Sequence, residues 1–179
     1  MSHVEVRPAV RSDLNSVASI HVRSWQVAYA GLVPASVLSG FDPEVRERRL
    51  AERMADPENQ SELFVAALTG QVVGFVSFGP WRGAASAGDP GEVYAIYVAP
   101  EQWGQGAGTA LLDAAVWRLA ALDYRALRLW VLEENWRARR FYEAHGWSAD
   151  GECQLYGIES VALPEVRYSR QAPEVPRVG

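Results

Sequence analysis

Apolar and charged residues alternate over Val4–Arg7, and this period of two predicts a short first strand. Leu14, Val17, Ala18, His21, Val22, Trp25, Ala28 and Tyr29 then recur at helical spacing. Ser12 is placed as the N-cap of that helix, Asp13 lies in its first turn, and the pattern ends near Gly31. Pro34–Leu38 reads as a short helical turn. Asp42-Pro43, a cap followed by proline at the first helical position, opens a helix through about Ala55. Leu63–Leu68 and Val72–Phe78 read as strands joined by a hairpin connection at Thr69-Gly70-Gln71. Trp81–Pro90, rich in glycine, alanine and serine, reads as a mobile loop. Val93–Val98 is a run of β-branched and aromatic residues, hence a strand, and Pro100 stops it. A helix starts near Ala107 and carries an apolar stripe from Leu111 to Leu122. Leu127–Leu132 is nearly all apolar, as expected of a strand covered on both faces. Asn135 is placed as the N-cap of a helix running to His145, with Gly146 as its C′ residue. Trp147–Leu155 and Ser160–Tyr168 read as closing strands, and a loose tail follows from Gln171, with Pro173 and Pro176. This order predicts one mixed α/β domain over residues 1–170 around a central sheet, with a tail at 171–179.

Composition narrows the classes. With 179 residues, 49% hydrophobic and 22% charged, the chain is long enough for one globular domain with a substantial core. No apolar run approaches the ~18–20 residues of a membrane span, and Met-Ser-His-Val-Glu-Val-Arg lacks the apolar centre of a signal peptide. Cys153 is the only cysteine, which excludes an intramolecular disulfide and a cysteine-based zinc site. These features set the expectation of a cytoplasmic protein without metal or membrane partner. A formal charge of −5 argues against bulk nucleic-acid binding and is compatible with a cationic substrate.

Candidate chemistry concentrates just after the strand Val93–Val98. Gly104, Gly106 and Gly108 bring bare backbone into the first turn of the following helix. Exposed N–H groups together with about half a positive charge from the helix dipole make an anion site. A P-loop is excluded, because no lysine precedes Thr109. A dinucleotide fold is excluded by the lack of successive βαβ units.

The segment Tyr-Val-Ala-Pro-Glu-Gln-Trp-Gly-Gln-Gly-Ala-Gly-Thr-Ala-Leu-Leu (97–112) resembles the acyl-CoA motif of the GNAT superfamily of N-acetyltransferases, Arg/Gln-x-x-Gly-x-Gly/Ala. Gly106 and Gly108 occupy the last two positions, and Trp103 stands where the family carries Arg or Gln. A second stretch, with Asn135 after a strand and then Ala138, Phe141-Tyr142 and Gly146-Trp147, is similar to the other signature of that superfamily. Ser24-Trp25-Gln26 through Pro34 is similar to the first-helix segment of one bacterial branch, so the resemblance covers about Val4 to Tyr168.

The resemblance implies a GNAT-like fold, a mixed and mostly antiparallel sheet splayed at the acyl-CoA site and flanked by helices. It implies acetyl-CoA as cosubstrate, with pantetheine on Tyr97 and Val98. Pyrophosphate is expected on the amides of Gly104, Gln105, Gly106, Ala107, Gly108 and Thr109, beside Trp103, and Asn135 is expected to bond the pantetheine or help shape its channel. The Val98 amide is implied as oxyanion donor and Tyr142 as general acid toward the CoA sulfur, though Tyr142 also fits a core position. Glu92 stands where some members carry a catalytic glutamate; base, cation-binding and plain strand-end roles are all open. Trp25 and Tyr29 come from the helix that walls the acceptor site in relatives, and core packing explains them equally well. His21 fits a packed, hydrogen-bonded core histidine better than a catalytic one. The implied activity is direct transfer of acetyl from acetyl-CoA to a primary amine of a small molecule, peptide or protein. A non-catalytic acyl-CoA-binding or regulatory module is the alternative. Members are often dimers, which leaves a homodimer open.

Overall fold

The chain runs through β1 (Val4–Pro8), a 3-10 turn (Arg11–Asp13), α1 (Leu14–Ala28), α2 (Ala35–Ser39), α3 (Pro43–Ala55), β2 (Glu62–Leu68) and β3 (Gln71–Pro80). It continues with β4 (Gly91–Val98), a second 3-10 turn (Pro100–Gln102), α4 (Ala107–Ala121), β5 (Ala126–Leu132), α5 (Trp136–Ala144), β6 (Ser148–Ile158) and β7 (Val161–Gln171). The computed structural model describes residues 4–83, 88, 90–158 and 161–175. The strands are hydrogen-bonded in the order β1-β2-β3-β4-β5-β7-β6. β1–β2, β5–β7 and β6–β7 are antiparallel, while β4 pairs in parallel with β5 through Gly91–Val93 and Leu127–Leu129. The result is the expected mixed, mostly antiparallel sheet with helices. The contacts group the described residues into two compact units. One holds the chain up to Ser77 and Ala95–Leu112; the other holds Phe78–Tyr94 and the chain from Asp113.

In the first unit, Leu14, Val17, Ala18 and Ile20 of α1 pack with Leu50, Val65, Phe75 and Ala99. The α1 stripe is therefore core. Its start differs from expectation: Ser12 is exposed and does not cap. Asp13 takes the Val10 amide at 2.8 Å and Arg7 Nη1 and Nη2 at 2.7 and 3.0 Å. The guanidinium supplies two charged donors, which a serine could not have matched, and Arg7 holds the Asp13 carboxyl below its usual range. α1 closes at Ala28 with Tyr29 as its C-cap, and Gly31 follows with φ +83°. The Asp42 side chain does cap α3, accepting the Glu44 amide at 2.8 Å. The β2–β3 hairpin turns on Thr69 (φ 48°) and Gly70 (φ 82°), the left-handed pair of a two-residue turn.

His21 is packed but not hydrogen-bonded as expected. Its ring lies among Trp25, Phe75 and Tyr97, at centroid distances of 5.9, 6.2 and 5.1 Å. Its buried Nδ1 has no partner among the described residues. Burial, helped by the Arg46 charge, lowers its pKa to about 3, so the ring is neutral.

In the second unit, β5 is not covered on both faces. Leu127, Leu129 and Val131 are buried while Ala126, Arg128 and Trp130 are half-buried, because β7 and β5 present an apolar face and a polar-aromatic face. Leu129 faces Tyr168 across the β5–β7 ladder. Tyr168 is fully buried; its hydroxyl donates to Glu143 Oε1 at 2.6 Å and accepts from Arg139 Nε at 3.1 Å. The closing strands run further than expected, with a register shift between Ala149 and Cys153, and Gln171 still pairs with Ala126. Residues 84–87 and 89 of the expected loop, 159–160 at the start of the last strand and 176–179 of the tail lie outside the described residues.

Candidate active site

The first unit contains the strand end and the glycine turn in one contiguous piece. β4 stops at Val98, whose carbonyl oxygen accepts two hydrogen bonds, from Ser24 Oγ at 3.2 Å and from Trp103 Nε1 at 2.7 Å. Trp103, at the motif position of Arg or Gln, thus commits its indole N–H to the strand end. The intervening turn is held by Gln102 N donating to Ala99 O (2.8 Å), and the Arg23–Glu101 pair at 2.6 Å ties it to α1. Gly104 and Gly106 have φ of +75° and +86°, which penalise any other residue. A Cβ on either would meet no atom within 4 Å, so the space beside both is open. Gly108 is different, since it lies within α4 and has no positive φ.

The first helical bond of α4 runs from Ala110 N to Gly106 O at 3.0 Å. At a helix start the first N–H groups generally lack an intrahelical acceptor. Those of Gly104 to Gly108 find none elsewhere among the described residues. Five successive peptide donors at the positive end of a 15-residue helix, with open space beside Gly104 and Gly106, are suited to an oxyanion of a diphosphate.

Gly74 of β3, not singled out in the sequence, is tightly constrained. A Cβ there would lie 2.9 Å from Tyr97 O, 3.0 Å from Val98 Cγ2 and 3.1 Å from Leu111 Cδ1. The signal was an isolated glycine inside a strand pattern, which marks close backbone approach. Trp25 and Tyr29 are brought together as buried neighbours with ring centroids 4.4 Å apart, and Trp25 also meets Phe41 at 5.2 Å. A groove of ≈ 710 Å³ opens beside them, lined by Gln26, Gly31, Leu32, Pro34 and Leu38 among others, but not by Trp25 or Tyr29.

In the second unit Glu92 is 1% exposed, and both of its oxygens are taken by one residue. Arg82 donates its backbone N–H to Oε2 (3.0 Å) and its Nε and Nη2 to Oε1 (3.1 and 2.5 Å). The guanidinium also lies 4.2 Å from the centroid of Tyr94, whose hydroxyl donates to Pro80 O. Burial works against the Arg82 charge, but the bonds and charge of Glu92 outweigh it and raise the pKa, so Arg82 stays protonated. Nothing in the sequence marked Arg82 as the partner, because the pairing is made by a loop residue ten positions away.

Asn135 caps α5, its Oδ1 accepting the Ala138 amide at 3.1 Å. Its Nδ2 carries no hydrogen bond among the described residues. Tyr142, two turns further on, is 7% exposed, with its ring near Phe141, Trp147 and Tyr168 at 5.5, 6.3 and 6.3 Å. Gly146 follows with φ +77°, as a C′ glycine should. Arg139, a neighbour on α5, is engaged with Tyr168 and with Glu133 O at 2.9 Å.

Solved structures show what class of protein this architecture defines. PaiA N-acetyltransferase from Thermoplasma acidophilum, in complex with coenzyme A, matches with a TM-score of 0.76 over 94% of this chain and 99% of that one, at 18% identity. YncA from Salmonella typhimurium, with its cofactor acetyl-CoA, matches at 0.72 over 99% and 100%, at 19% identity. The fold is that of the N-acetyltransferases. In sequence, the acetyltransferase (GNAT) family pattern matches residues 20–147, and the chain belongs to that family. It is 34% identical over 164 residues to an uncharacterized N-acetyltransferase of Bacillus subtilis, YuaI, covering 91% of this chain and 90% of the relative. An uncharacterized N-acetyltransferase of Archaeoglobus fulgidus is 30% identical over 140 residues, 78% of this chain and 89% of the relative. No helix among the described residues is long and apolar enough to cross a membrane.

Proposed function

We propose that the protein transfers acetyl from acetyl-CoA directly to a primary amine. The observation that carries this reading is the row of unengaged peptide donors from Gly104 to Gly108 at the start of α4, beside the open space at Gly104 and Gly106. In this reading the amides of Gly104 through Thr109 hold the pyrophosphate and the backbone of Tyr97 and Val98 orients the pantetheine arm. The Nδ2 of Asn135 donates to pantetheine while its Oδ1 caps the helix.

The chemistry requires a neutral amine, a donor for the tetrahedral oxyanion and a proton for the departing sulfur. An alkylammonium of pKa ~10 is almost wholly protonated at neutral pH. The Val98 N–H supplies the oxyanion donor, next to a peptide group, Val98 C=O with Ala99 N–H, that is held by Ser24, Trp103 and Val73 O. Tyr142 O–H protonates the sulfur as the C–S bond breaks. Trp25 and Tyr29 form the wall of the acceptor site through their packed rings. Glu92, with both oxygens on Arg82, anchors the first residues after β3.

The test is calorimetric titration with acetyl-CoA and CoA, followed by thiol-release assays against amines, amino acids, polyamines, aminoglycosides and peptides. Absence of acetyl-CoA binding by the folded protein sinks the reading. Binding without transfer to any amine makes the chain an acyl-CoA-binding module instead.

A further inference from the structure

The first and last strands in the sheet order are finished differently. β1 is 5 residues long, carries Glu5 and Arg7 and ends in Pro8. A short, charged, proline-bearing edge resists pairing with another chain. β6 is 11 residues long and exposed from Ser148 to Gly157. Its first part is blunted too. The register shifts between Ala149 and Cys153, Gly151 has φ +92°, and Arg167 engages Asp150 at 2.8 Å and Glu152 at 4.0 Å. Residues 153–158, Cys-Gln-Leu-Tyr-Gly-Ile, keep a regular register with β7 and carry neither charge nor proline. Leu155, 69% exposed, is the most exposed large apolar side chain among the described residues.

The backbone of this segment is set to pair outward. Leu155 stands opposite Pro164 of β7, which has no N–H, and the Pro164 carbonyl accepts from Glu133 N at 2.9 Å, on the β5 side. In an antiparallel ladder the N–H and C=O of one residue point the same way, so Leu155 and Pro164 form a non-hydrogen-bonded pair. The N–H and C=O of Leu155 therefore point away from β7, and those of Cys153 and Gly157, two residues to either side, do the same. β6 ends the strand order, so these groups meet no further strand among the described residues. A row of this kind is a template for one more strand.

We propose that the strand that completes it is the same segment of a second copy of this chain, antiparallel, about a two-fold axis at Leu155. Outward-pointing residues must face outward-pointing residues, which allows an axis at Gln154, Leu155 or Tyr156. An axis at Gln154 carries the pairing into the bulge, and one at Tyr156 shortens it; the axis at Leu155 uses the whole regular stretch. Leu155 then closes on the partner's Leu155, and Cys153 lies opposite the partner's Gly157. These three outward pairs exchange about six main-chain hydrogen bonds. The acidic parts of the two strands, with Asp150 and Glu152, lie at opposite ends of the pairing, so no carboxylate faces another across it. The segment is short against the ~1,200 Å² of a standard interface, which makes the dimer a weak one, in the micromolar range. The pairing is independent of the acetyl-transfer reading.

The experiment is sedimentation velocity on the full chain, from micromolar to millimolar concentration, for wild type and Leu155→Lys, with thiol cross-linking in parallel. Wild type should show a reversible monomer–dimer equilibrium. Leu155→Lys should raise the dimer Kd about tenfold or more, because two like charges then meet across the axis. At concentrations where both are monomers their urea midpoints should agree, since Leu155 is exposed. Under mild oxidation the double variant Cys153→Ser, Leu155→Cys should form a covalent dimer, its paired Cα atoms standing about 5.5 Å apart. Wild-type Cys153 should not, because the two copies of it lie roughly 14 Å apart along the strands. A wild type that is monomeric throughout overturns the proposal, and so does a dimer indifferent to Leu155→Lys. Cross-linking of wild-type Cys153 as fast as that of the double variant overturns the register. Growth beyond the dimer with rising concentration overturns the two-fold pairing.

Discussion

Acid should destabilise this protein through His21. An ordinary histidine titrates at 6.5, and burial in the α1 core lowers His21 to about 3. Between those values the unfolded chain binds a proton that the folded chain refuses, so stability is full above 6.5 and falls as the pH drops toward 3. For one site with these two values, linkage gives a loss of about 2 kcal/mol between pH 7 and pH 5. In a chain of 179 residues that corresponds to a fall in Tm of about 4–8 °C. His21→Phe keeps an aromatic ring among Trp25, Phe75 and Tyr97 and removes the titration. Its stability at pH 7 will shift with packing, but its change from pH 7 to pH 5 isolates the effect, since the other two histidines remain. Urea unfolding at both pH values measures it. Wild type should lose about 2 kcal/mol more than the variant. Equal losses would mean that His21 is protonated without cost in the folded state, contradicting its unpartnered burial.

Three further outcomes follow from the other parts of the structure. Gly106→Val, at φ +86°, should cost about 1–2 kcal/mol of backbone strain and weaken acetyl-CoA binding at least tenfold by calorimetry; unchanged affinity in a folded variant refutes the cradle. Gly74→Ala should cost about 1–3 kcal/mol by forcing a Cβ against Tyr97 O at 2.9 Å, and acetyl-CoA affinity should fall with it; wild-type values for both quantities would show that the contact relaxes freely. Tyr142→Phe should lower kcat by about 10- to 10³-fold with acetyl-CoA affinity within a few-fold, on an acceptor for which chemistry is rate-limiting; a near-normal kcat returns Tyr142 to the core.

Much of the fold was legible because single residues announced local geometry. Asp42-Pro43 capped a helix, Asn135 and Gly146 bracketed another, and Gly104 with Gly106 demanded positive φ at a helix start. Each of these depends only on neighbours in sequence. Burial on β5 was misread because apolar composition cannot tell a strand covered on both faces from one whose second face carries aromatics. The Ser12 cap failed for a related reason: the competing donor, Arg7, lies on the preceding strand, and its ion pair with Asp13 decided the local geometry. Glu92 was visible as a charged residue opening a strand, yet its pairing with Arg82 was not. No periodicity connects a loop arginine to a strand glutamate.

The arrangement at Val98 is a case in which distant positions become intelligible only together. Ser24 on α1, Gly74 on β3 and Trp103 beyond the 3-10 turn share no motif, yet all three act on the same two residues. Two donors hold the Val98 carbonyl, and the missing Cβ at Gly74 lets β3 approach Tyr97 and Val98 closely. The peptide group gripped in this way is Val98 C=O with Ala99 N–H, whose amide donates to Val73 O at 2.8 Å, and it adjoins the peptide that carries the Val98 N–H. Catalysis by a backbone donor depends on the N–H being aimed before charge develops, since reorganising it during the reaction would consume the stabilisation it provides. The motif substitution at Trp103 is consistent with that requirement. An arginine there would offer a long, mobile side chain, whereas the indole donates one hydrogen bond at 2.7 Å from a rigid ring and fixes the strand end against the turn. The side-chain charge is given up, but the peptide donors from Gly104 to Gly108 do not depend on it.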